Sequence, residues 1–364
     1  MLDRRQFLAG AALAGAAATG LPRPARAAAD WDATVAAAKG QSLNLIIDPY
    51  QAHKDVVAVF AQKFPGIDVQ ASTLHPSDAA PKMLTEQKNG VYSWDAWWGT
   101  CSNMNNVALP AGGLDLIDQY FVLPEVIEAS NWRLPNLRYT SKRGNYVFVH
   151  THFLINYGAY DKGQVPGGVL TLDNLTDPSL VGRISIRVPN RPHGGAMMLA
   201  QVAKEKGIGT VETILTTMKP MFVDNDRQNT MSVVRGDSAV GIGTSEETLY
   251  DCHQSGGCTN VVKFPVSVMH SRGISVPKNP PHKEAATVWV NWLLSKEGQE
   301  VFVTEWAKSN PGGALSMRKD VAPDPKHLES VPDFDNIDQY VAVALDSGWT
   351  DLKQIIDLYK KVNG

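Results

Sequence analysis

The chain has 364 residues, with 34 basic and 37 acidic side chains, a formal net charge of −3 and 43% hydrophobic residues. A mildly acidic chain without a Lys/Arg run excludes an electrostatic nucleic-acid or anionic-membrane surface as its working face. The composition is otherwise that of a globular protein, with no internal repeat, heptad pattern or low-complexity tract beyond an alanine-rich N-terminus.

That N-terminus reads as an export signal. Arg4-Arg5-Gln6-Phe7-Leu8 precedes an apolar run from Ala9 to Leu21, and Ala25-Arg26-Ala27 supplies a small-x-small cleavage site. The paired arginines followed by Phe-Leu point to the Tat route; the alternative is a Sec signal with two arginines in its basic region. The run is too short and too alanine-rich for a spanning helix, and no cysteine follows the cleavage site to carry a lipid. A soluble, monomeric periplasmic protein is expected. Removing residues 1–27 takes away Asp3 and four arginines, leaving 337 residues with 30 basic against 36 acidic side chains, a charge of −6. That length fits two domains.

Strand and helix signals then alternate. Residues 42–47 (SLNLII) form an expected strand, followed by the loop 49–53. Residues 54–64 carry Val56, Val57, Val59, Phe60 and Phe64 on one helical stripe, and Pro65-Gly66 ends it. Residues 67–71 are the next strand, 80–88 a helix stopped by Gly90, and 92–98 a strand running into Gly99–Asn103 and a further helix. Such alternation implies a parallel sheet with right-handed crossovers. The pattern then changes. Residues 146–155 (YVFVHTHFLI) are a long β-rich run. A strand is expected at 182–188, a helix at 196–206, a strand at 237–241 and β structure at 260–268. Two β-rich runs near 150 and 265, each joining two α/β sections, are what a two-lobed protein needs.

Residues 271–302, SRGISVPKNPPHKEAATVWVNWLLSKEGQEVF, read as a strand, a stop at Pro280-Pro281, and an amphipathic helix with Ala286, Val290, Leu293 and Leu294 at helical spacing. Lys296-Glu297-Gly298 interrupts the helix before Val301 and Phe302 resume it. This segment closely resembles the late part of bacterial extracellular solute-binding proteins, the receptors of ABC importers. "NLIIDPYQAHKDVVAVFAQKFPGIDVQAS" looks like the first strand, helix and second strand of that family. "YSWDAWWGT" looks like its third strand, "LTDPSLVGRISI" like the start of its second lobe, and "MSVVRGDSAVGIGTSEETLY" like its next helix–strand pair. The similarity spans nearly the whole mature chain in a consistent order, and it is nearest the subgroup of ferric-iron, spermidine/putrescine and aminoethylphosphonate receptors. It implies a two-lobed α/β fold of the type II-like periplasmic-binding class, with a ligand cleft between lobes joined by two crossover strands. On this reading residues 28–153 and 262–320 form one lobe and 154–261 the other. Residues 321–364 form a helical segment on either lobe. The implied partners are a small solute and the membrane permease of an ABC importer.

Ligands of open α/β sheets collect beyond the carboxyl ends of the strands. The candidate ligand-binding residues are therefore Tyr50 and Gln51 after the first strand, and Thr100, Ser102 and Asn103 after the third. In the second lobe they are Asn190, Arg191, His193 and Gly194, with Thr244, Ser245 and Glu246. Three of these loops run into helix starts, whose unpaired N–H groups and positive dipole end favour anions. Arg191 adds a forked donor for a carboxylate or phosphonate, the alternative being a solvent-facing side chain. Where ferric-iron receptors carry adjacent tyrosines, this chain reads Ser-Glu-Glu-Thr-Leu-Tyr, with only Tyr250 nearby, which puts iron binding in doubt. Glu246 and Glu247 would suit a polyamine or a hard cation, or simply complement a helix dipole. An organic anion is the expected solute, with Arg191 as its decisive charge and Glu246 as the single acid considered to face the cleft.

Other clusters carry less. Trp94 and Trp98 are expected on one strand face and Trp97 on the other, so they serve the core more readily than an aromatic box for an amine. His150 and His152 share a strand face without a third ligand at metal-site spacing. Cys252 and Cys258 enclose a short flexible loop and are expected to form a disulfide in an oxidising compartment; a Cys/His metal site lacks further ligands. Cys101 is left over as a small buried residue. The chain has no Walker loop, GxGxxG after a first strand, HExxH or GxSxG. No cofactor, metal or catalytic group is expected, and the rival reading is a periplasmic enzyme using His150, His152 or Cys101.

Overall fold

A computed structural model of the protein describes residues 23–309 and 315–363. The hydrophobic run of the export signal lies outside them, and the expected cleavage site falls in the first turns of the first helix, α1 (Arg23–Ala38). The chain continues through β1 (Ser42–Ile47), α2 (Gln51–Lys63), β2 (Asp68–Thr73), α3 (Pro76–Lys88), β3 (Ala96–Thr100), α4 (Cys101–Asn103), β4 (Leu114–Asp115), α5 (Pro124–Ile127) and β5 (Val147–Ile155). A second set follows: β6 (Gly158–Asp161), β7 (Ile184–Arg187), α6 (Gly194–Lys206), α7 (Ile208–Leu215), β8 (Met221–Val223), α8 (Asp226–Val234), β9 (Val240–Ile242), α9 (Glu246–Gln254) and β10 (Val261–Lys263). The last elements are β11 (Val268–Pro277), α10 (Lys283–Leu294), α11 (Lys296–Ser309) and α12 (Asp346–Asn363). Among the described residues no helix is long and apolar enough to cross a membrane.

The strands form two sheets, one per lobe. The first runs β2-β1-β3-β11-β4, with β5 paired to β11; the second runs β10-β6-β9-β7-β8. β1, β2 and β3 are parallel, as the helix between each pair requires. β11 returns antiparallel to β3 and to β5. Besides the late passage from α11 on the first lobe to α12 on the second, the chain crosses between the lobes twice, from β5 to β6 and from β10 to β11. These crossings lie side by side, with Ile155 opposite Val268. Asn156 clamps them: its Nδ2–H donates to the carbonyls of Phe264 at 2.8 Å and Val266 at 2.9 Å.

Each lobe has its own apolar core. The first buries Trp98, Trp132, Trp289, Trp292, Phe302 and Trp306; the second buries Leu199, Ile214, Ile242 and other aliphatic side chains. Leu352, Ile355 and Ile356 of α12 join the second core, where the helix packs on α6 and α7. Burying three such side chains contributes roughly 1.5–3 kcal/mol each before entropy is counted, enough to hold an amphipathic C-terminal helix on that lobe.

Two local expectations are corrected. α2 starts at Gln51, not at residue 54. The third strand starts at Ala96, not at residue 92, because the Asp95 carboxylate accepts from the backbone N–H groups of Asn44 and His282, both at 2.7 Å. Strict alternation therefore begins only at Ala96. Trp94 consequently packs with Trp97 in a third apolar cluster, while Trp98 alone enters the main core.

Candidate functional site

A cavity of about 360 Å³ opens between the lobes beside the crossing strands. Its first-lobe and hinge wall is built by Tyr50 at the start of α2, His75 before α3, Phe153 of β5 and Arg272 of β11. Its second-lobe wall is built by Tyr157, Arg187, His193, Gly194, Met197, Asp226 and the residues Ser245, Glu246 and Glu247 at the start of α9.

Arg272 dominates the electrostatics. All ten residues of β11 are buried, and Arg272 itself is 6% exposed. Its guanidinium carbon lies 3.7 Å from the ring centre of Trp306, 4.1 Å from Phe153 and 5.6 Å from Tyr50. Aromatic faces attract a cation, but they do not replace a counter-ion. It takes part in none of the ion pairs among the described residues; the Tyr50 hydroxyl is hydrogen-bonded to it, and its Nε and Nη1 have no partner. Burial pulls its pKa down, opposed by Tyr50, Asp48 and Tyr157. An uncompensated buried cation costs several kcal/mol. The acid that opposes this lowering, Asp48, is fully buried: its Oδ2 accepts from the Thr100 N–H at 2.8 Å and the Thr100 hydroxyl at 2.7 Å, and its Oδ1 has no hydrogen-bond partner. Gly99 makes this arrangement possible, since a Cβ there would lie 2.2 Å from the Asp48 carboxylate.

The second-lobe wall is arranged differently. Arg187 is 3.2 Å from Asp226, and Lys263 is 2.6 Å from Glu246. Two helix starts face the cavity. His193 caps α6, its Nδ1 accepting from the Gly195 N–H at 3.2 Å, and Ser245 caps α9 by accepting from the Thr248 N–H at 3.1 Å. Gly194 is required by packing, because a Cβ there would meet the Tyr157 ring at 2.9 Å. The Tyr157 hydroxyl is 3.1 Å from His270 Nε2. Burial lowers His270 to about 3 and His193 to about 4, so both are neutral at pH 7.

Of the residues expected from sequence, Tyr50, His193, Gly194, Ser245 and Glu246 line the cavity. The others do not. Gln51 is exposed and bonds Asp55 along its own helix. Thr100 is turned to Asp48, while Ser102 and Asn103 sit on α4 outside the cavity lining. Asn190 and Arg191 are exposed on their loop, and Thr244 is buried with its N–H donated to the Tyr157 carbonyl. Glu246 is not the only acid at the cavity, since Asp226 and Glu247 line it too. Arg272, Arg187, Asp226, His75 and Tyr157 are among the lining groups that were not expected from sequence.

The remaining clusters lie outside the cavity lining. Cys252 and Cys258 form a disulfide, and Cys101 is free and buried. His150 Nε2 accepts from the Trp98 indole N–H at 2.8 Å, and His152 Nδ1 is 2.8 Å from the Ser271 hydroxyl. Both are fully buried. Among the described residues no group of three or more His, Cys, Asp or Glu side chains is arranged to hold a metal ion.

Comparison with known proteins agrees with this architecture. Residues 141–305 match the family described as bacterial extracellular solute-binding protein. An uncharacterized protein of Haemophilus influenzae is 22% identical over 251 residues, covering 66% of this chain and 69% of that one. The crystal structure of iron-bound HitA from Pseudomonas aeruginosa superposes with a TM-score of 0.63 at 20% identity, covering 89% of this chain and 99% of that one. The fructose-6-phosphate-bound structure of AfuA from Actinobacillus pleuropneumoniae gives a TM-score of 0.57 at 19% identity, covering 88% and 99%.

Proposed function

We propose that this chain, whose residues 141–305 match the family of bacterial extracellular solute-binding proteins, is a periplasmic receptor that closes its lobes over a small organic anion, a carboxylate or phosphonate, and delivers it to the permease of an ABC importer. The observation that carries the anion reading is Arg272, a buried guanidinium without a counter-ion in the wall of the interlobe cavity. A ligand carboxylate or phosphonate would supply the missing charge, and charge-assisted bonds of this kind are the strong ones. The starts of α6 and α9 add N–H groups from the opposite lobe. Contacts from both lobes favour the closed state, so the solute shifts the hinge equilibrium.

The alternatives find less support. Glu246 and Asp226 are already paired with Lys263 and Arg187, which leaves Glu247 to attract a polyamine. HitA was solved with iron and AfuA with fructose-6-phosphate. What speaks against ferric iron is the start of α9, which reads Ser-Glu-Glu-Thr-Leu-Tyr where ferric-iron receptors carry adjacent tyrosines. The enzymatic alternative would show turnover of a candidate solute by the purified protein, where a receptor shows stoichiometric binding alone. Export by the Tat route is part of the proposal; replacing Arg4 and Arg5 by lysine is expected to leave the precursor in the cytoplasm.

The test is a thermal-shift screen of the mature protein over carboxylates, phosphonates, polyamines and ferric citrate. A ligand far above its dissociation constant stabilises by several kcal/mol. Shifts with one or more organic anions are expected. A clear shift with spermidine or ferric citrate, and none with any organic anion, overturns the reading.

A further inference from the structure

A second and larger cavity, about 660 Å³, lies behind the hinge. Its lining comes from four places: the first-lobe loop that includes Leu137, Tyr139 and Lys142, Met269 of β11, Lys204 of α6 in the second lobe, and the segment from Ile337 into the first turn of α12. This last segment clips onto the hinge strand. The Met269 N–H donates to the Val341 carbonyl and the Val343 N–H to the Met269 carbonyl, both at 3.1 Å. It also holds both lobes. Gln201 of α6 accepts from the Val341 N–H at 2.7 Å and donates to the Gln339 carbonyl at 2.9 Å. Asp346 meanwhile accepts from Ser141 at 2.9 Å and Asn105 at 3.2 Å in the first lobe.

β11 therefore presents two opposed faces. Side chains alternate along a strand: Arg272 turns toward the solute cleft, while Met269 turns toward the rear cavity. The floor of the rear cavity is apolar, with Leu137, Met269, Ile337, Ala342 and Leu345. Its rim carries two exposed lysines, Lys142 on one lobe and Lys204 on the other, neither in an ion pair among the described residues. Asp346 is engaged by Arg143 at 3.3 Å, which leaves Asp338 as the single acid without an ion pair at this rim.

We propose that the rear cavity is a second ligand site, for an amphipathic organic anion, whose occupancy favours closure of the solute cleft. The apolar body of the ligand lies on the Met269–Leu345 floor and its charge sits between Lys142 and Lys204. The coupling follows from the lever. Rotation about the β5/β11 crossing that opens the front cleft narrows the space behind it, so an occupant of the rear opposes opening. By linkage, the solute in the cleft tightens the rear ligand by the same factor.

The experiment uses the mature protein and the fluorescent anion 8-anilinonaphthalene-1-sulfonate as probe. Saturable binding of one probe is expected, weakened tenfold or more in the double variant Lys142→Glu/Lys204→Glu and unchanged in Arg272→Met. Both lysines are exposed, so the double variant tests charge without disturbing a core. Small-angle scattering with the probe alone should show a smaller radius of gyration, a readout that needs no cleft solute and so stands apart from the organic-anion reading. No saturable binding, binding indifferent to the charge reversal, or loss of binding in Arg272→Met overturns the site. Binding at the lysine rim without compaction overturns the coupling.

Discussion

The two walls of the interlobe cavity hold charge in opposite ways. On the hinge wall, Arg272 is buried among Trp306 and Phe153 with no acid beside it. On the second-lobe wall, Arg187 and Glu246 each have an ion-pair partner, and the remaining polarity comes from helix starts. An unpaired buried charge gains a full interaction when a ligand arrives, whereas a paired one must first give up its partner. The hinge wall is therefore expected to choose the sign of the ligand, and the second-lobe wall to fit its shape.

The largest break in that comparison is Arg272→Met, which keeps length and removes charge. Anion affinity should fall by about 1.5–3 kcal/mol, the range for hydrogen bonds to a charged group, in a calorimetric titration. The same variant should melt no lower than wild type without ligand, since it removes a desolvated cation. Retained affinity in Arg272→Met would move the decisive charge elsewhere.

A second break uses pH. Burial lowers His150 and His270 to about 3 and His152 to about 4, all in or beside the crossing strands, and His193 to about 4 in the second lobe. Their unfolded value is about 6.5. Between roughly pH 6.5 and 3 the unfolded chain binds protons that the folded chain refuses, so stability is present above that window and lost progressively as pH falls through it. Denaturant midpoints should drop steadily from pH 7 to pH 4. A flat profile would mean that these rings are solvated.

Smaller effects sharpen the contrast. Asp226→Asn frees Arg187 beside the cavity and should tighten anion binding modestly, by no more than about 1 kcal/mol for a partly exposed pair. Glu246→Gln should leave binding intact or slightly improved. Arg191→Ala, at an exposed position, should change affinity by less than about 0.5 kcal/mol, measured in the same titrations. A loss with Arg191→Ala as large as that with Arg272→Met would erase the distinction between the walls.

Much of this architecture is legible in the residues. β1 coincides with SLNLII because a short apolar run bounded by polar turns has little choice. The break between α10 and α11 falls at Ser295, just before the expected interruption; Lys296-Glu297-Gly298 form the first turn of α11, where a Cβ on Gly298 would lie 1.9 Å from the Trp292 carbonyl oxygen. The charge proposed here to be decisive is harder to see. Arg191 sits in a loop of prolines and glycines that looks like a binding loop, and only tertiary packing determines that it is exposed. Arg272 lies inside VMHSRGISVP, a strand apolar enough to be scanned for pattern alone. A lone arginine in a run destined for full burial was the available signal. Trp94 shows the converse limit: side-chain bonds from Asp95 delay the strand, and no alternation rule contains them.

The central claim, that the lobes close over an organic anion held by Arg272, is tested most directly by small-angle scattering of the mature protein with and without the best anion from the thermal screen. The account predicts a smaller radius of gyration with the anion in wild type and no change in Arg272→Met at the same concentration. Compaction by spermidine or ferric citrate alone, or equal compaction of both proteins by the anion, would contradict it.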